Sequence, residues 1–396
     1  MSLLKDIEPI KTKDFLKEKF KDYYKDAEIT LPPKFTSREW GFLDWNGRGM
    51  IRHLKFGSSK EIGIYLEGRA PAHCYHSVAY YTNPGKNTMV EKEWRGADLI
   101  FDLDADHLPE MEDLKANKIT FAQLMEYIKE QTLRLVNDVL LGDFGLKKGD
   151  LLIVFSGGRG YHIHVRDRRL LDLPSGARRE LADYLTTSGI NQKLVLDDKG
   201  SIKTYGIKTK RYKERYTLPD KDAPGWKGLI SRKVHSYIEK IDSNPEEMWK
   251  EWSDLLKISE NEAKKIVQGS STEETFNILM PGQKDRLVRR ALKDITVLPD
   301  EPVTGDIRRL IRLPGSLHGG TGLIVKILNN DELEKFDPYT IPIAFGDKPI
   351  KIRSIMPHPV QMGNEFKLER EEITELPEYA AIYFMARKFA TLCLDT

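Results

Sequence analysis

The stretch L-I-F-D-L-D-A-D, residues 99–106, decides how the rest of the chain is read. Side chains alternate across a strand, so Ile100, Asp102 and Asp104 project from one face while Leu99, Phe101 and Leu103 point into the other, a buried one. A D-x-D pair can simply end a strand in solvent. The unbroken apolar run ahead of these acids reads instead as a central strand that stops at a site. Two carboxylates on rigid backbone beside a packed apolar row are costly unless a positive charge sits on them, and a divalent metal fits that need. Asp106 shares the parity of the pair but lies past Ala105, toward His107 and Pro109, and reads as a turn acid.

Around this strand the spacing predicts a mixed α/β chain. Short β-rich runs broken by glycine and proline turns cover residues 40–105, namely 49–56, 62–66, 72–81 and 98–103. An amphipathic helix is expected over 11–25, where Leu16, Phe20 and Tyr23 recur among charges, and another over 121–141 through Leu124, Ile128, Leu135 and Val139. Strands at 151–155 and 161–165 flank S-G-G-R-G, and Ser175 is placed to cap a helix to 185. Residues 178–292 read as a mainly helical insertion into a discontinuous domain made of 1–177 and 293–396. Beyond it, 306–313 sets Ile307, Leu310 and Ile311 on one helical face. Strands resume at 323–327, and a last helix is expected over 377–392 with Pro377 near its first turn.

Composition narrows the class. A chain of 396 residues holds two or three packed units, and 40% hydrophobic with 31% charged residues suits a soluble globular protein. The net charge of +2 averages unlike regions and does not by itself indicate nucleic acid. Two cysteines, Cys74 and Cys393, exclude a disulfide framework and a cysteine-rich zinc site, which favours a reducing, cytoplasmic setting. The amino end has no signal-peptide core and no run of about 18 apolar residues occurs, so no membrane span is expected.

Two further elements carry chemistry. In S-G-G-R-G-Y-H-I-H-V, residues 156–165, three glycines let backbone N–H groups converge on an anion, and Arg159 adds a fork suited to phosphate oxygens. The plain alternative is a hairpin turn, and His164 reads as a structural histidine. In D-I-R-R-L-I-R-L-P-G-S-L-H-G-G-T-G-L, residues 306–323, Asp306 is either a helix cap or a third carboxylate for metal, and the Pro-Gly-Ser-Leu-His-Gly-Gly run looks like a site loop. Divalent metal together with polyphosphate is what nucleotidyl transfer demands.

F-D-L-D-A-D-H-L, S-G-G-R-G-Y-H-I-H-V and R-L-I-R-L-P-G-S-L-H-G-G-T-G-L resemble, in this order, the three signature blocks of the archaeal and eukaryotic DNA primase small (catalytic) subunit, and the last is closer to archaeal members. S-R-E-W-G-F near residue 40, E-K-E-W-R-G-A-D before the acidic strand and L-P-E-Y-A-A-I-Y-F-M-A-R near the end extend the likeness over nearly the whole chain. The resemblance implies a primase catalytic fold of two sheet modules interrupted by a helical subdomain. It implies DNA-dependent synthesis of short RNA primers on single-stranded template, with DNA as a further product left open. Asp102, Asp104 and Asp306 would be the catalytic metal-binding acids, holding Mg2+ or Mn2+. Ser156, Arg159 and His162 would contact the incoming nucleoside triphosphate, Arg312 and His318 would complete the phosphate pocket, and Glu39 and Arg52 would lie near the same site. The implied partner is a primase large subunit that carries the family's iron–sulfur cluster. A stand-alone repair-type primase-polymerase and a non-catalytic nucleic-acid-binding scaffold of the same fold are the alternatives.

Two departures from the family pattern stand out. No cysteine occurs between residues 108 and 131, where members commonly carry a zinc knuckle, so zinc is not expected. Gly158 occupies a position that is often basic, which shifts more of the phosphate load to Arg159. Residues 199–233 mix lysines and arginines with Tyr205, Tyr212, Tyr216 and Trp226, a pattern that suits single-stranded DNA, a solvated loop or a subunit interface. His73, Cys74 and His76 lack a nearby fourth ligand, and the two histidines are read as core residues.

Overall fold

The computed structural model describes the backbone of residues 2–47, 49–108, 110–116, 118–187, 189–191, 195–205, 210–243, 245–267 and 271–394. Side chains of residues 2–7, 107, 115, 199–205, 210–215, 241–243, 245–248 and 267 lie outside the description. The Tyr205 and Tyr212 side chains of the basic stretch are therefore among those not described.

The chain divides into two units. The first comprises Met1–Leu133, Leu146–Ala182 and Leu298–Thr396, and the second Arg134–Gly145 with Asp183–Val297. Two four-stranded antiparallel sheets of the first unit matter for function. Their strands are β1 (Trp40–Leu43), β2 (Met50–Leu54), β3 (His73–Ser77), β4 (Leu99–Asp104), β5 (Leu151–Phe155), β6 (Gly160–Val165), β7 (Leu310–Arg312) and β8 (Lys326–Leu328). One sheet runs β7-β3-β1-β2 and the other β8-β5-β6-β4. This is the mixed α/β fold with two sheet modules.

The first sheet rests on the helices Ser2–Asp26 and Ser59–Arg69 through Phe20, Tyr24, Trp40, Phe42, Ile62 and Leu66, all buried. The second buries Phe101, Leu103, Ile153, Phe155, Tyr161 and Ile163, as the alternation along β4 requires. A fully buried arginine ties the two together. Arg38 donates to the carbonyls of Ser77 and Val78 at 2.7 and 3.0 Å, to the Tyr80 hydroxyl at 2.6 Å and to Asp98, just ahead of β4, at 2.7 Å. A buried charge with every donor matched holds geometry even where its net contribution to stability is small.

The second unit has its own core of Ile230, Val234, Trp252, Leu256, Phe276, Leu287 and Ala291, supplied by helices between Trp226 and Ile295. It also contains a two-stranded hairpin, Asp197–Tyr205 with Lys210–Thr217. Among the described residues no helix is long and apolar enough to cross a membrane.

Several sequence expectations change in the folded chain. Residues 62–66 are not a strand but part of the helix Ser59–Arg69: the Ser58 side chain accepts from the Glu61 N–H, and Ile62 and Leu66, four apart, face the core. Residues 306–313 are not helical. Asp306 closes a turn by accepting the Arg308 N–H at 2.8 Å, and the next residues pair with β3, Ile311 opposite His76. The last helix stops at Ala386, because Lys388 turns into the left-handed region with φ 64 and Ala390–Leu392 then joins a strand; Pro377 is its N-cap. The first helix begins at Ser2, ahead of the apolar repeat. The helix expected over 121–141 is α-helical only to Arg134 and continues as a wider π-turn segment, Leu135–Asp143. Of 323–327, Ile324 makes an isolated bridge with Leu317 and the strand proper is Lys326–Leu328.

Candidate active site

Antiparallel pairing sets Asp102 of β4 opposite His162 of β6, and Asp104 opposite Gly160. The glycine is required there: a Cβ on residue 160 would stand 2.0 Å from the Leu103 carbonyl oxygen. The loop from β5 to β6 is pinned at both ends, Ser156 N–H donating to the Gly160 carbonyl at 3.0 Å and Ala105 N–H to the Arg159 carbonyl at 3.2 Å. At its centre Gly157 adopts φ +75, and the Gly158 N–H donates to Ser156 Oγ at 3.3 Å. The Thr321 hydroxyl donates to the Gly157 carbonyl at 2.6 Å, which docks this loop on the one that carries His318.

A cleft of about 270 Å³ opens between the two sheets of the first unit. Asp102, Asp104 and His162 line it from one side, Tyr75, Arg309 and Arg312 from the other, and Ser156, Gly158, Arg159, His318 and Arg387 close it. Three of the expected site residues are not among its lining residues: Glu39, Arg52 and Asp306. Glu39 is buried and accepts from Lys92 Nζ at 2.5 Å, from Arg52 Nε at 3.1 Å and from the His53 N–H at 3.2 Å. The charges of Glu39, Arg52 and Asp306 all act on the Tyr81 hydroxyl, which burial first of all pushes up to about 12.

A third carboxylate whose charge reaches Asp102 is that of Asp300, which, like Asp306, is not among the residues lining the cleft. Its N–H donates to the Asp102 carbonyl at 2.8 Å, and its negative charge acts on the Asp102 carboxyl. Asp306 stands at the other end of the helix Glu301–Gly305, whose N-cap is Asp300, and is occupied with Arg308. Sequence inspection missed Asp300 because it sits outside the glycine-rich block, yet D-E-P is a recognisable helix start.

Electrostatics act strongly on Asp102. Burial, then the charges of Asp104 and Asp300, push the Asp102 carboxyl up to about 7, while Arg309 and Arg312 oppose the rise. Asp104 Oδ1 accepts the Asp106 N–H at 3.0 Å. His162 Nε2 lies 3.5 Å from Asp102 Oδ1, and burial, with Arg312 and Arg309, drives the imidazole down to about 3, so it is neutral. The turn acid Asp106 pairs with Arg159.

On the opposite wall, Arg312 lies over the Tyr75 ring at 5.2 Å and Nη1 meets His73 Nδ1 at 2.8 Å. His318 Nδ1 accepts the Gly320 N–H at 3.2 Å, which leaves Nε2 as the protonated nitrogen. A Cβ at residue 158 would lie 3.2 Å from that nitrogen, so glycine at 158 leaves it room. His76 is a core histidine, fully buried, whereas His73 is half-buried and contacts the cleft residue Arg312. Strand parity separates them and was the signal available for His73 and Tyr75.

The donor set suits a hard divalent cation. Among the described residues no three His, Cys, Asp or Glu side chains converge tightly enough to hold an ion alone. Magnesium-class ions do not need such a cage, since they keep waters and bind through one or two carboxylates plus substrate phosphates. Asp102 and Asp104, with the negative charge of Asp300 acting on Asp102, fit that mode.

The sequence matches the model of the DNA primase small subunit over residues 101–329. The DNA primase small subunit PriS of Methanococcoides burtonii is 42% identical over 396 residues, 96% of this chain and 98% of the relative. That of Methanothrix thermoacetophila is 40% identical with the same coverage, and that of Natronomonas pharaonis 35% identical over 96% of this chain and 98% of the relative.

Proposed function

The chain belongs to the DNA primase small-subunit family, and from that membership we propose that it synthesises primers, RNA first, on single-stranded DNA template by two-metal nucleotidyl transfer. The observation that carries this reading is the cleft itself: an acidic pair on one sheet faces Arg312 and His318 across a space edged by the glycine loop.

In this reading Asp102 and Asp104, with Asp300 in place of Asp306, hold Mg2+ or Mn2+, which when bound activates the attacking 3′-hydroxyl and neutralises the pyrophosphate leaving group. Arg312, Arg159 and His318 take the triphosphate oxygens, and Ser156 and the backbone N–H groups of its loop shape the cradle. His162, neutral and 3.5 Å from Asp102, orients that carboxylate without adding charge. Arg159 must exchange Asp106 for phosphate, a swap between two charge-assisted partners.

The relatives are named as small subunits, and we infer a larger partner. Cys74 is buried and Cys393 is the only other cysteine, so an iron–sulfur cluster in the complex falls to that partner. The test is a primer-free assay on single-stranded DNA with labelled nucleotides and Mg2+ or Mn2+, with and without the large subunit. Products from two unprimed nucleotides are expected, and Asp102→Asn with Asp104→Asn should abolish them. Synthesis by the double variant would overturn the assignment.

A further inference from the structure

His73 and Arg312 meet through one short contact, and its chemistry is constrained. An arginine guanidinium offers only donors and stays charged at any working pH. His73 Nδ1, 2.8 Å from Arg312 Nη1, must therefore be the acceptor. The same nitrogen accepts the Gly319 N–H at 3.3 Å, a second donor that cannot reverse its role. Nδ1 is thus unprotonated and the ring proton sits on Nε2.

The surroundings keep the ring in that state. His73 stands edge-on to His318, centroids 4.8 Å apart and planes 80° apart, so one imidazole braces the Arg312 head, the backbone at Gly319 and the flank of His318. Burial, reinforced by Arg312, pulls its pKa down to about 3, which keeps it neutral.

Neutrality is the point. Arg159, another of the arginines on this cleft, is paired with the carboxylate of Asp106. Arg312, among the described residues, has no carboxylate within ion-pair distance: its contacts are the His73 nitrogen and the Tyr75 face. A carboxylate at residue 73 would orient the guanidinium equally well but would cancel much of its field inside a low-dielectric cleft. An imidazole orients it and leaves the charge for an anionic ligand. His73 also lies outside the 101–329 segment that the family model matches.

We propose that His73 is the positioning residue for Arg312, a neutral acceptor that aims the guanidinium at the nucleotide's phosphates without discharging it. The assignment rests on the primer-synthesis reading only for the identity of the ligand.

Four full-length proteins test it: wild type, His73→Asn, His73→Leu and His73→Asp, each measured for ATP affinity in Mg2+ and, with the large subunit, for nucleotide KM and kcat. Asparagine places its Oδ1 near the Nδ1 position and restores a neutral acceptor. It is expected to stay within about twofold of wild type, whereas leucine weakens ATP binding and raises KM about tenfold, the worth of one hydrogen bond to a charged group. Aspartate keeps the acceptor but adds a negative charge, and should bind ATP at least as weakly as leucine. Thermal melts give the order a purely structural role would impose. Aspartate binding as well as asparagine, leucine binding as well as wild type, or affinities that follow the melting order would each overturn the proposal. A wild-type protein that binds ATP in the expected order of variants but makes no primer would instead remove the functional reading and leave His73's role standing.

Discussion

Asp300 reaches Asp102 through the backbone, its N–H donating to the Asp102 carbonyl at 2.8 Å, so the N-cap of a five-residue helix and the end of β4 are one rigid piece. Asn and Asp are equivalent N-caps, so Asp300→Asn removes the charge and leaves the helix start intact. Primer synthesis is expected to fall at least about 100-fold, the upper end for loss of a group that orients metal. Asp306→Asn, on a carboxylate engaged with Arg308, should stay within about threefold, as changes away from such features do. Equal losses in the two variants would restore Asp306 to the site.

The raised carboxyl of Asp102 has a consequence for stability without metal. The ordinary carboxyl pKa is about 3.9. Between that value and about 7 the folded chain holds a proton at Asp102 that the unfolded chain has released. The folded state therefore binds more protons in this window, and stability falls as pH rises through it. Asp102→Asn escapes the penalty. In EDTA its melting temperature should match wild type near pH 4 and exceed it by a few degrees at pH 8. A constant difference across that range would contradict the burial and like-charge account.

Glu39 is the buried centre of a cluster of charges. It is buried together with Lys92, 2.5 Å away, and also holds Arg52 and His53. Removing one partner of a buried pair strands the other charge, at a cost of about 3–5 kcal/mol. Glu39→Gln should lower unfolding free energy by that amount in urea titrations, and adding Lys92→Met should recover much of it. A double variant no better than the single one would show that Arg52 and His53, and not Lys92, set the value.

Much of this was legible in the chain. The D-x-D strand, the glycine hairpin and their facing residues follow from alternation, which is local and reads directly from sequence. What could not be read is competition between local patterns and distant partners. Leu310 and Ile311 have helical spacing with Ile307, but β3 offers an open edge and wins residues 310–312. Ile62 and Leu66 fit either period, and the Ser58 cap decides for the helix. Asp300 was overlooked because its value lies in a contact with a residue nearly two hundred positions earlier. Arg52 and Glu39, expected together from one sequence block, are paired with each other in the folded chain.

Gly160 is a place where the backbone leaves little freedom. A Cβ there would stand 2.0 Å from the Leu103 carbonyl oxygen and 2.9 Å from the Asp104 Cα, both backbone atoms that cannot swing aside. Gly160→Ala must therefore push β6 from β4 at the register position of Asp104. Overpacking of this kind costs about 1–3 kcal/mol. Activity should fall further than stability suggests, about 100-fold, because a displacement near 1 Å at a reacting group is enough for that. Gly149→Ala, where an added Cβ meets nothing within 4 Å, is the matched control and should leave both unfolding and primer synthesis unchanged. Wild-type synthesis by Gly160→Ala would contradict the proposed place of the Asp104 carboxylate at the reacting centre.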